Sequence, residues 1–340
     1  MEAPPKPGQD LPRVSVVIPV LNEELHILDC LRSVIDQDYP RELIDIVVAD
    51  GGSSDRTREL VVEVSAGDRR VRLIDNPGRN QASGLNRAIA ATSGEVVARL
   101  DGHAAWRPGH LRESVRLLLE TGSDNVGGTM GAVGETAVAR AAARAWRSPF
   151  AAGGARYRYR KRQLDTDTVF LGVFRRTALD RVGPFREDLD QHEDYELNHR
   201  IRLSGGRVVF SPELSTRYWT RSDWGSLAAQ FFRYGRAKAR VARTLPGVVR
   251  PYHLIPPIFA LTVPVAAVAL LGKRGRKAVG ILAAMYALTD LGAALGVAAG
   301  EPAPETARTM VAFPVMQLSW GAGFLVGLWE SVRRRAWPPA

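Results

Sequence analysis

Three short acidic clusters carry side chains that could do chemistry in this sequence. The first is Asp50, in ADGGSSD, where a carboxylate followed by glycines could accept hydrogen bonds from a ribose hydroxyl or a base N–H. A helix-capping turn also explains this segment, because Ser53, Ser54 and Asp55 are residue types that cap helices. No G-x-G-x-x-G follows the first predicted strand, which weakens a dinucleotide-binding interpretation.

The second cluster is Asp101-Gly102-His103, in ARLDGH. A carboxylate and an imidazole two residues apart can bind one divalent cation if the turn presents both side chains. Such a cation would neutralise a diphosphate and stabilise it as a leaving group, and the imidazole shifts the preference from Mg²⁺ toward Mn²⁺ or another transition ion. A surface turn is the alternative interpretation of an isolated D-x-H.

The third cluster lies in DQHEDYELNHR, around Glu193 and Asp194. Acidic residues at the start of a helix are favoured by the helix dipole, so a purely structural role is one explanation. The other is a general base that deprotonates an attacking hydroxyl. The residue pattern does not choose among the four candidate acids, which are Asp190, Glu193, Asp194 and Glu196.

Two basic segments could bind anions. In the segment Gln230-Phe-Phe-Arg233-Tyr234, the planar guanidinium matches phosphate oxygens, although an amphipathic helix with a solvated arginine explains it as well. The run RYRYRKR at 156–162 could contact a pyrophosphate or an anionic membrane surface, or it could be a solvated basic face.

Alternating strands and helices must position these side chains. Val14–Val20 and Ile44–Ala49 are runs rich in β-branched residues, typical of buried parallel strands, and Asn22 is predicted to cap the helix after the first. Asp50 and Asp101 follow predicted strands, so we expect both at the carboxyl edge of a mostly parallel α/β sheet with helices on both faces. The other predicted elements are strands at 71–74, 96–100, 169–174 and 207–210, and helices from about 55 and at 82–92, 194–204 and 226–245.

Three apolar stretches close the sequence, each near the ~20 residues that cross a bilayer. They are Leu254–Leu271, Ala278–Ala299 and Met310–Leu328. Basic clusters at 273–277 and 333–335, and acidic residues at 301 and 305, predict a hairpin of the second and third stretches with the acidic loop outside. The proline-containing first stretch would lie in the interface. Three spans, with 273–277 outside, is the alternative.

The composition limits the partners of the chain. Its formal net charge of +10 favours anions, but no nucleic-acid-binding motif accompanies the basic residues, so membrane and phosphate are predicted rather than nucleic acid. The single cysteine, Cys30, excludes an intrachain disulfide and is predicted to be a small buried hydrophobe. Residues 1–12 have no apolar signal-peptide segment and are predicted to be a disordered leader.

Five segments match a known family in order: VSVVIPVLNEE, VVADGGSSDRT, NRAIAATSGEVVARLDGH, HEDYELNHRIRLSGG and QFFRYGRAK. Over about residues 13 to 240 the sequence resembles the inverting glycosyltransferases of family 2. The resemblance implies the nucleotide-diphospho-sugar transferase fold, which is GT-A-like, and the C-terminal apolar stretches are similar to those of succinoglycan-type membrane-associated glucosyltransferases.

The resemblance implies a role for each candidate. Asp194 would be the catalytic base, and Asp101 with His103 would bind a divalent metal, Mn²⁺ or Mg²⁺. His103 stands where the family usually has aspartate, and Tyr234 replaces the tryptophan of its Q-x-x-R-W motif. The residues implied to bind substrate are Asp50, Asp101, Glu193, Gln230, Arg233 and Tyr234.

The resemblance also implies an activity. The chain would transfer a sugar, with inversion, from a nucleotide-diphospho-sugar such as a UDP-hexose to a polyprenyl-linked saccharide in exopolysaccharide or cell-envelope glycan synthesis. Residues 13–245 would form a cytoplasmic catalytic domain, and residues 246–340 a membrane region with two or three apolar helices. The alternatives are a processive polysaccharide synthase and a non-catalytic membrane scaffold that retains the fold.

Overall fold

The computed structural model describes residues 11–152, 161–189, 191–245 and 249–333 of the 340-residue chain. Several sequence predictions lie wholly or partly outside these ranges. They are the leader at 1–12, the basic run at 156–162, the candidate acid Asp190 and the basic cluster at 333–335.

The strands are short and largely buried, as their β-branched and apolar composition predicts. They are β1 (Val14–Val20), β2 (Ile44–Asp50), β3 (Val71–Asp75), β4 (Val96–Arg99), β5 (Ala104–Trp106), β6 (Asn125–Gly128), β7 (Met130–Val133), β8 (Leu164–Asp165), β9 (Phe170–Arg175), β10 (Val208–Phe210) and β11 (Thr216–Trp219).

The helices fall between the strands and then dominate the C-terminal part. They are α1 (Ile27–Ile35), α2 (Thr57–Gly67), α3 (Gln81–Ala90), α4 (His110–Thr121), α5 (Ala137–Trp146), α6 (Pro149–Ala152), α7 (Arg176–Val182), α8 (Glu193–Leu203), α9 (Trp224–Thr244), α10 (Ile255–Ala269), α11 (Lys273–Val297) and α12 (Ala303–Arg333). Short 3-10 helices occur at Arg41–Leu43 and Pro251–Leu254.

The main sheet has the order β3-β2-β1-β4-β9-β6-β10-β8. β1, β2, β3 and β4 pair in parallel, which confirms the prediction for the first half of the sheet. β9 runs antiparallel between β4 and β6, and β8 runs antiparallel to β10, so the sheet as a whole is mixed.

The register of β1 places two candidate carboxylates at one edge of this sheet. Val20 pairs with Asp50 on β2, and Val17 pairs with Arg99 on β4. β2 and β4 lie on either side of β1 and are therefore about 10 Å apart across the hydrogen-bonding direction. Asp50 and Asp101 thus lie at the carboxyl edge, as predicted, where ligands bind in sheets of this kind.

The prediction that Asn22 caps the first helix is wrong. α1 begins only at Ile27, and Asn22 has a positive φ of 57°. Its side-chain oxygen accepts a hydrogen bond from the Ser54 amide at 2.8 Å, and its own amide donates to Ser53 Oγ at 2.9 Å. The polar side chain is used to join the loops after β1 and β2, because those loops meet at the sheet edge.

A second sheet has the order β5-β11-β7, and a close backbone approach beside it requires glycine. A Cβ added at Gly128 would lie 1.5 Å from the carbonyl oxygen of Leu214. Backbone atoms cannot rotate away as a flexible side chain can, so any side chain here must displace a strand connection.

Gly128→Ala is therefore expected to lower the free energy of unfolding by about 1–3 kcal/mol or more, as overpacking does. Gly67→Ala is the matched control, because no atom lies within 4 Å of its added Cβ, and we expect unchanged or slightly raised stability there. Thermal unfolding of the detergent-purified chain measures both. Equal melting temperatures for the two variants would contradict the steric argument.

The chain divides into two compact units, one of residues 1–131 and 160–218 and one of residues 132–159 and 219–340. The first contains the main sheet and Cys30, which is fully buried, as predicted, and whose thiol pKa is raised by that burial. The second contains three helical segments long and apolar enough to cross a membrane: Pro251–Ala269, Lys273–Val297 and Ala303–Ser331.

Candidate functional site

Asp50 is the last residue of β2, and its carboxylate is buried. Its Oδ1 accepts hydrogen bonds from the Ser53 hydroxyl at 2.6 Å and the Ser53 amide at 3.2 Å, while Arg58 lies 3.3 Å from Oδ2. Arg58 also pairs with Asp75 on the neighbouring strand. The carboxylate is therefore fixed in direction, as a group that recognises a donor hydroxyl or N–H must be.

Asp101 follows β4 and is also buried. Its Oδ1 accepts hydrogen bonds from Gln81 Nε2 at 2.9 Å and from Arg99 Nε at 3.0 Å. Gln81 is the first residue of α3, so the helix that crosses from β3 to β4 contributes directly to holding this carboxylate.

His103 is held by a second carboxylate. Its Nδ1 lies 2.7 Å from Glu23 Oε1, and its ring stands edge-on to Tyr218, with ring centroids 5.0 Å apart. A Cβ added at Gly102 would lie 2.9 Å from both Glu23 Cγ and Val20 Cγ1. The loop after β1 therefore packs directly against the Asp101–His103 turn, and this close approach requires the glycine between them.

Glu193 and Asp194 begin α8, and Glu193 is buried. Glu193 Oε1 accepts a hydrogen bond from Arg99 at 2.9 Å, and Asp194 Oδ1 accepts one from the Tyr195 amide at 2.7 Å. Burial raises the pKa of Glu193 to about 7 against the opposing effect of the Arg99 charge. Burial likewise raises the pKa of Asp194, again opposed by Arg99.

Arg99 connects the second and third clusters. Its guanidinium is almost fully buried and donates to Asp101 through Nε and to Glu193 through a terminal nitrogen, across 94 residues of sequence. Burial works against this charge, but Asp101 and Glu193 outweigh it and raise the pKa of Arg99 further. The D-G-H and E-D segments are thus brought to one place by a single side chain.

The other acids of the third cluster differ from Asp194 in their partners. Glu196 is buried and paired with Arg200 at 2.8 Å, one turn along α8, and Arg200 also bonds to carbonyl groups at the end of α7. Glu193 is paired with Arg99. Within the described ranges, no ion pair with an N–O distance up to 4.0 Å involves Asp194.

The residues of the Q-F-F-R-Y segment lie on α9, in the second unit. Gln230 Nε2 donates to the Tyr234 hydroxyl at 3.0 Å, so the structure brings these two side chains together. Arg233 is exposed. Phe231, between them in sequence, packs edge-on against Trp146 at 5.8 Å.

Sequence reasoning missed Arg99, Glu23 and Gln81. Arg99 carried a signal, since a charged residue ending the otherwise apolar strand segment Val96–Ala98 needs a buried partner of opposite charge. Glu23 and Gln81 carried none, because a polar residue after a strand or at the start of a helix is ordinary.

The donor set around Asp101 fits a divalent cation that is only partly held by protein. Carboxylate oxygen and imidazole nitrogen suit Mn²⁺, and a carboxylate on the other ring nitrogen is the usual way that a metal-binding histidine is oriented. Glu23 supplies such a carboxylate to Nδ1 of His103. Among the described residues no three His, Cys, Asp or Glu side chains are grouped so that they could hold an ion.

Residues 15–183 match the family model "Glycosyl transferase family 2". The chain is similar to the succinoglycan biosynthesis protein ExoA of Rhizobium meliloti (strain 1021), with 32% identity over 94% of this chain and 96% of that protein. It is 31% identical to the glycosyltransferase AglE of Haloferax volcanii, over 68% of this chain and 74% of that protein.

A solved structure has the same fold. The mannosyltransferase PcManGT of Pyrobaculum calidifontis, in complex with GDP-Man and Mn²⁺, superposes with a TM-score of 0.66, covering 95% of this chain and 88% of that one at 20% identity. The protein belongs to glycosyltransferase family 2. It has the GT-A-like nucleotide-diphospho-sugar transferase fold that the sequence resemblance implied.

Proposed function

We propose that this glycosyltransferase transfers a hexose from a UDP-sugar to a hydroxyl of a lipid-linked saccharide, with inversion, during exopolysaccharide or cell-envelope glycan synthesis. The similarity to the succinoglycan biosynthesis protein along almost the whole chain supports this kind of product. The three apolar helical segments support an acceptor that is reached at a membrane. In this proposal residues 13–245 are catalytic and cytoplasmic, and residues 246–340 are associated with the bilayer.

The observation that carries the proposal is the double contact of Arg99. It joins the Asp101 turn, which would face the donor diphosphate, to the start of α8, which would face the acceptor hydroxyl. Sugar transfer needs a leaving-group site and a base site held within one fixed geometry, because a misplacement of about 1 Å can cost 10²-fold in rate.

Asp194 is the proposed base. Glu193 and Glu196 are each paired with an arginine, whereas Asp194 accepts a local amide. Burial raises its pKa, which makes its carboxylate a stronger base than an ordinary aspartate. It would take the proton of the acceptor hydroxyl as that oxygen attacks the anomeric carbon from the face opposite the diphosphate.

Asp50 is proposed to orient the nucleoside of the donor, by accepting a hydrogen bond from the uracil N–H or a ribose hydroxyl. Its bonds from Ser53 and Arg58 fix the carboxylate at the sheet edge. Gln230, Arg233 and Tyr234 are proposed to contact donor and acceptor, as the Q-x-x-R-W motif implies. Tyrosine in place of tryptophan keeps an aromatic ring there and adds a hydroxyl, which here binds Gln230.

Asp101 and His103 would hold the divalent metal, and Glu23 would orient the imidazole. When bound, the cation would supply Lewis-acid stabilisation of the diphosphate leaving group. Gln81 and Arg99 would orient the Asp101 carboxylate, and Asp194 would receive the proton of the acceptor hydroxyl.

The proposal is tested by offering a panel of nucleotide sugars to the purified chain with membrane lipid extract, with and without Mn²⁺. We expect one donor to be consumed, an inverted linkage in a lipid-soluble product, and loss of transfer when the metal is removed. The addition of a single sugar would separate this activity from a processive synthase. Absence of transfer from every donor, with either Mn²⁺ or Mg²⁺, would overturn the proposed function.

A further inference from the structure

Arg99 carries a positive charge into the buried interior of the first unit. It ends the otherwise apolar β4, yet its side chain is only 7% exposed and contacts two separate acidic segments. A guanidinium cannot lose its proton in a protein, so it must carry its charge into this buried position. Burying a charge is costly unless both partners are held in good geometry, as Asp101 at 3.0 Å and Glu193 at 2.9 Å are here.

We propose that Arg99 is a positioning residue for sugar transfer, fixing the Asp101 turn and the start of α8 in one alignment. This inference rests on the proposed function above. The planar fork of the guanidinium allows Nε and a terminal nitrogen to donate in set directions to two carboxylates. Since Glu193 directly precedes Asp194, holding Glu193 also sets the position of the proposed base.

The geometry, and not the charge alone, carries this role. Lysine would keep the charge as a point on a flexible stem, without the fork that sets the separation of the two carboxylates. Arg99→Met keeps most of the side-chain volume and removes every donor. The two variants therefore separate the loss of charge from the loss of geometry.

Arg99→Met is expected to lower kcat by about 100-fold, the scale of a small misalignment of reacting groups, and to weaken UDP binding in the presence of Mn²⁺ only a few-fold. Gln81 still bonds to Asp101 in this variant, so part of the donor site is retained. Arg99→Lys is expected to recover part of kcat. In a double-mutant cycle with Glu193→Gln, the losses in kcat should be less than additive, because both changes break the same contact.

Arg175→Met is the matched control. Arg175 is a partly buried arginine on β9 that bonds to the carbonyl groups of Ser123 and Leu118, and it contacts none of the three acids. It should lower the melting temperature while leaving kcat of the folded protein near the wild-type value. A wild-type chain that transfers no sugar overturns the proposed function and this inference together. Wild-type transfer with Arg99→Met retaining kcat within a few-fold, or with additive losses in the cycle, overturns this inference alone.

α9 and α12, both in the second unit, pack closely against each other. Their backbones touch at three glycines: an added Cβ would lie 1.9 Å from Trp320 O at Gly235, 2.0 Å from Phe232 O at Gly323 and 2.5 Å from Arg236 O at Gly327. From Gly323 to Gly327 of α12 the contacted carbonyl moves from Phe232 to Arg236 of α9, and Glu330 pairs with Arg240 still further on. α9 and α12 therefore run side by side and parallel.

Ion pairs fix both ends of α12 within this unit. Near its start, Glu305 pairs with Arg144 of α5, whose Nε also bonds to Thr309 at 3.2 Å. Near its end, Glu330 pairs with Arg236 at 2.6 Å and Arg240 at 2.9 Å, both on α9. The two glutamates are 25 residues apart, or about 37 Å along a helix, which is enough to cross a bilayer.

α9 cannot accompany α12 across a bilayer at acceptable cost. Arg233 is the tenth of its 21 residues and is exposed, so a crossing helix would present a guanidinium near mid-depth. Arg236, Lys238 and Arg240 follow in the same half. A helix with an apolar first half and such cations is typical of one that lies in the membrane interface.

We infer that α12 lies in the plane of the membrane surface beside α9, with both of its ends on the same side, and does not cross the bilayer. This differs from the hairpin of the second and third apolar stretches that the sequence predicts. Hydropathy alone favours a crossing helix. However, α12 packs along α9, so the two helices must take the same orientation relative to the bilayer. The partner of this surface is the lipid interface itself, which the exposed leucines and valines of α10 and α11 would enter.

Labelling with a membrane-impermeant maleimide tests this placement. One variant carries Ala303→Cys, at the exposed start of α12, and another has a cysteine appended after Ala340. Wild type is the unlabelled control, because Cys30 is fully buried, and detergent-opened vesicles establish that each new thiol reacts. We expect both thiols to react in the same vesicle orientation, inverted or right-side-out. Reaction of the two in opposite orientations overturns the inference.

Discussion

Asp194→Asn is expected to lower kcat by about 10²–10⁴-fold, the contribution of a general base, while UDP binding in the presence of Mn²⁺ stays close to wild type. Asparagine keeps the shape and the acceptor oxygen that the Tyr195 amide uses, but it cannot take a proton at neutral pH. Single-turnover transfer from a radiolabelled donor, together with calorimetric titration of UDP, measures the two quantities separately.

The pH profile gives a second measure of the same group. The base must be ionised to act, so kcat falls as pH drops through the pKa of Asp194. Because burial raises that pKa, the acidic limb should lie above the range of an ordinary aspartate, and it should disappear in Asp194→Asn.

Glu196→Gln is the matched control for this substitution. Glu196 is buried two residues further along the same helix, but its carboxylate is paired with Arg200. We expect this variant to lose stability and to keep kcat near wild type at temperatures where it is folded. A larger loss of kcat in Glu196→Gln than in Asp194→Asn would show that the assignment of the base to Asp194 is wrong.

Asp101→Asn should lower kcat/KM for the donor by about 10²–10³-fold, the scale of removing one electrostatic contact to a developing charge. Asparagine retains an oxygen for the bonds from Gln81 and Arg99, so the turn should remain folded. The loss comes from the charge that would bind the cation. UDP affinity should therefore fall when Mn²⁺ is present and change little when it is absent.

Asp165→Asn controls for removing an acidic residue elsewhere. Asp165 is an exposed partner of Arg207 at the edge of the main sheet, and its loss should leave kcat/KM and both UDP affinities unchanged. If Asp101→Asn weakened UDP binding equally with and without metal, Asp101 would contact the nucleotide directly and the metal assignment to this residue would fail.

The sequence determined the first half of the sheet because the relevant signals are local. β1 was predicted with the bounds it has, and the ends of β2 and β4 placed Asp50 and Asp101 at the carboxyl edge. Runs of β-branched residues that end in a polar turn can be recognised as strands without knowing their distant partners. The antiparallel direction of β9 was missed, because an apolar strand has the same composition in either direction.

The candidate acids were found from the sequence, but their partners were not. The resemblance to the family singled out Asp194 from its neighbours, and the structure adds that Glu193 and Glu196 are paired with arginines. Asn22 was wrongly predicted to cap the first helix because its side-chain oxygen accepts a hydrogen bond from the Ser54 amide, more than 30 residues away. A side chain that could cap locally gives no sign that it bonds elsewhere.

Only the tertiary structure decided how the three acidic clusters are held. The sequence by itself determined that Asp50 and Asp101 follow strands of the sheet, and the resemblance to the family singled out Asp194 from its neighbours. Arg99 contacts the nearby Asp101 and also Glu193, which lies 94 positions away. Glu23 contacts His103, which lies 80 positions away. Periodicity and spacing describe only neighbours along the chain, whereas the folded sheet brings electrostatic partners together from distant positions.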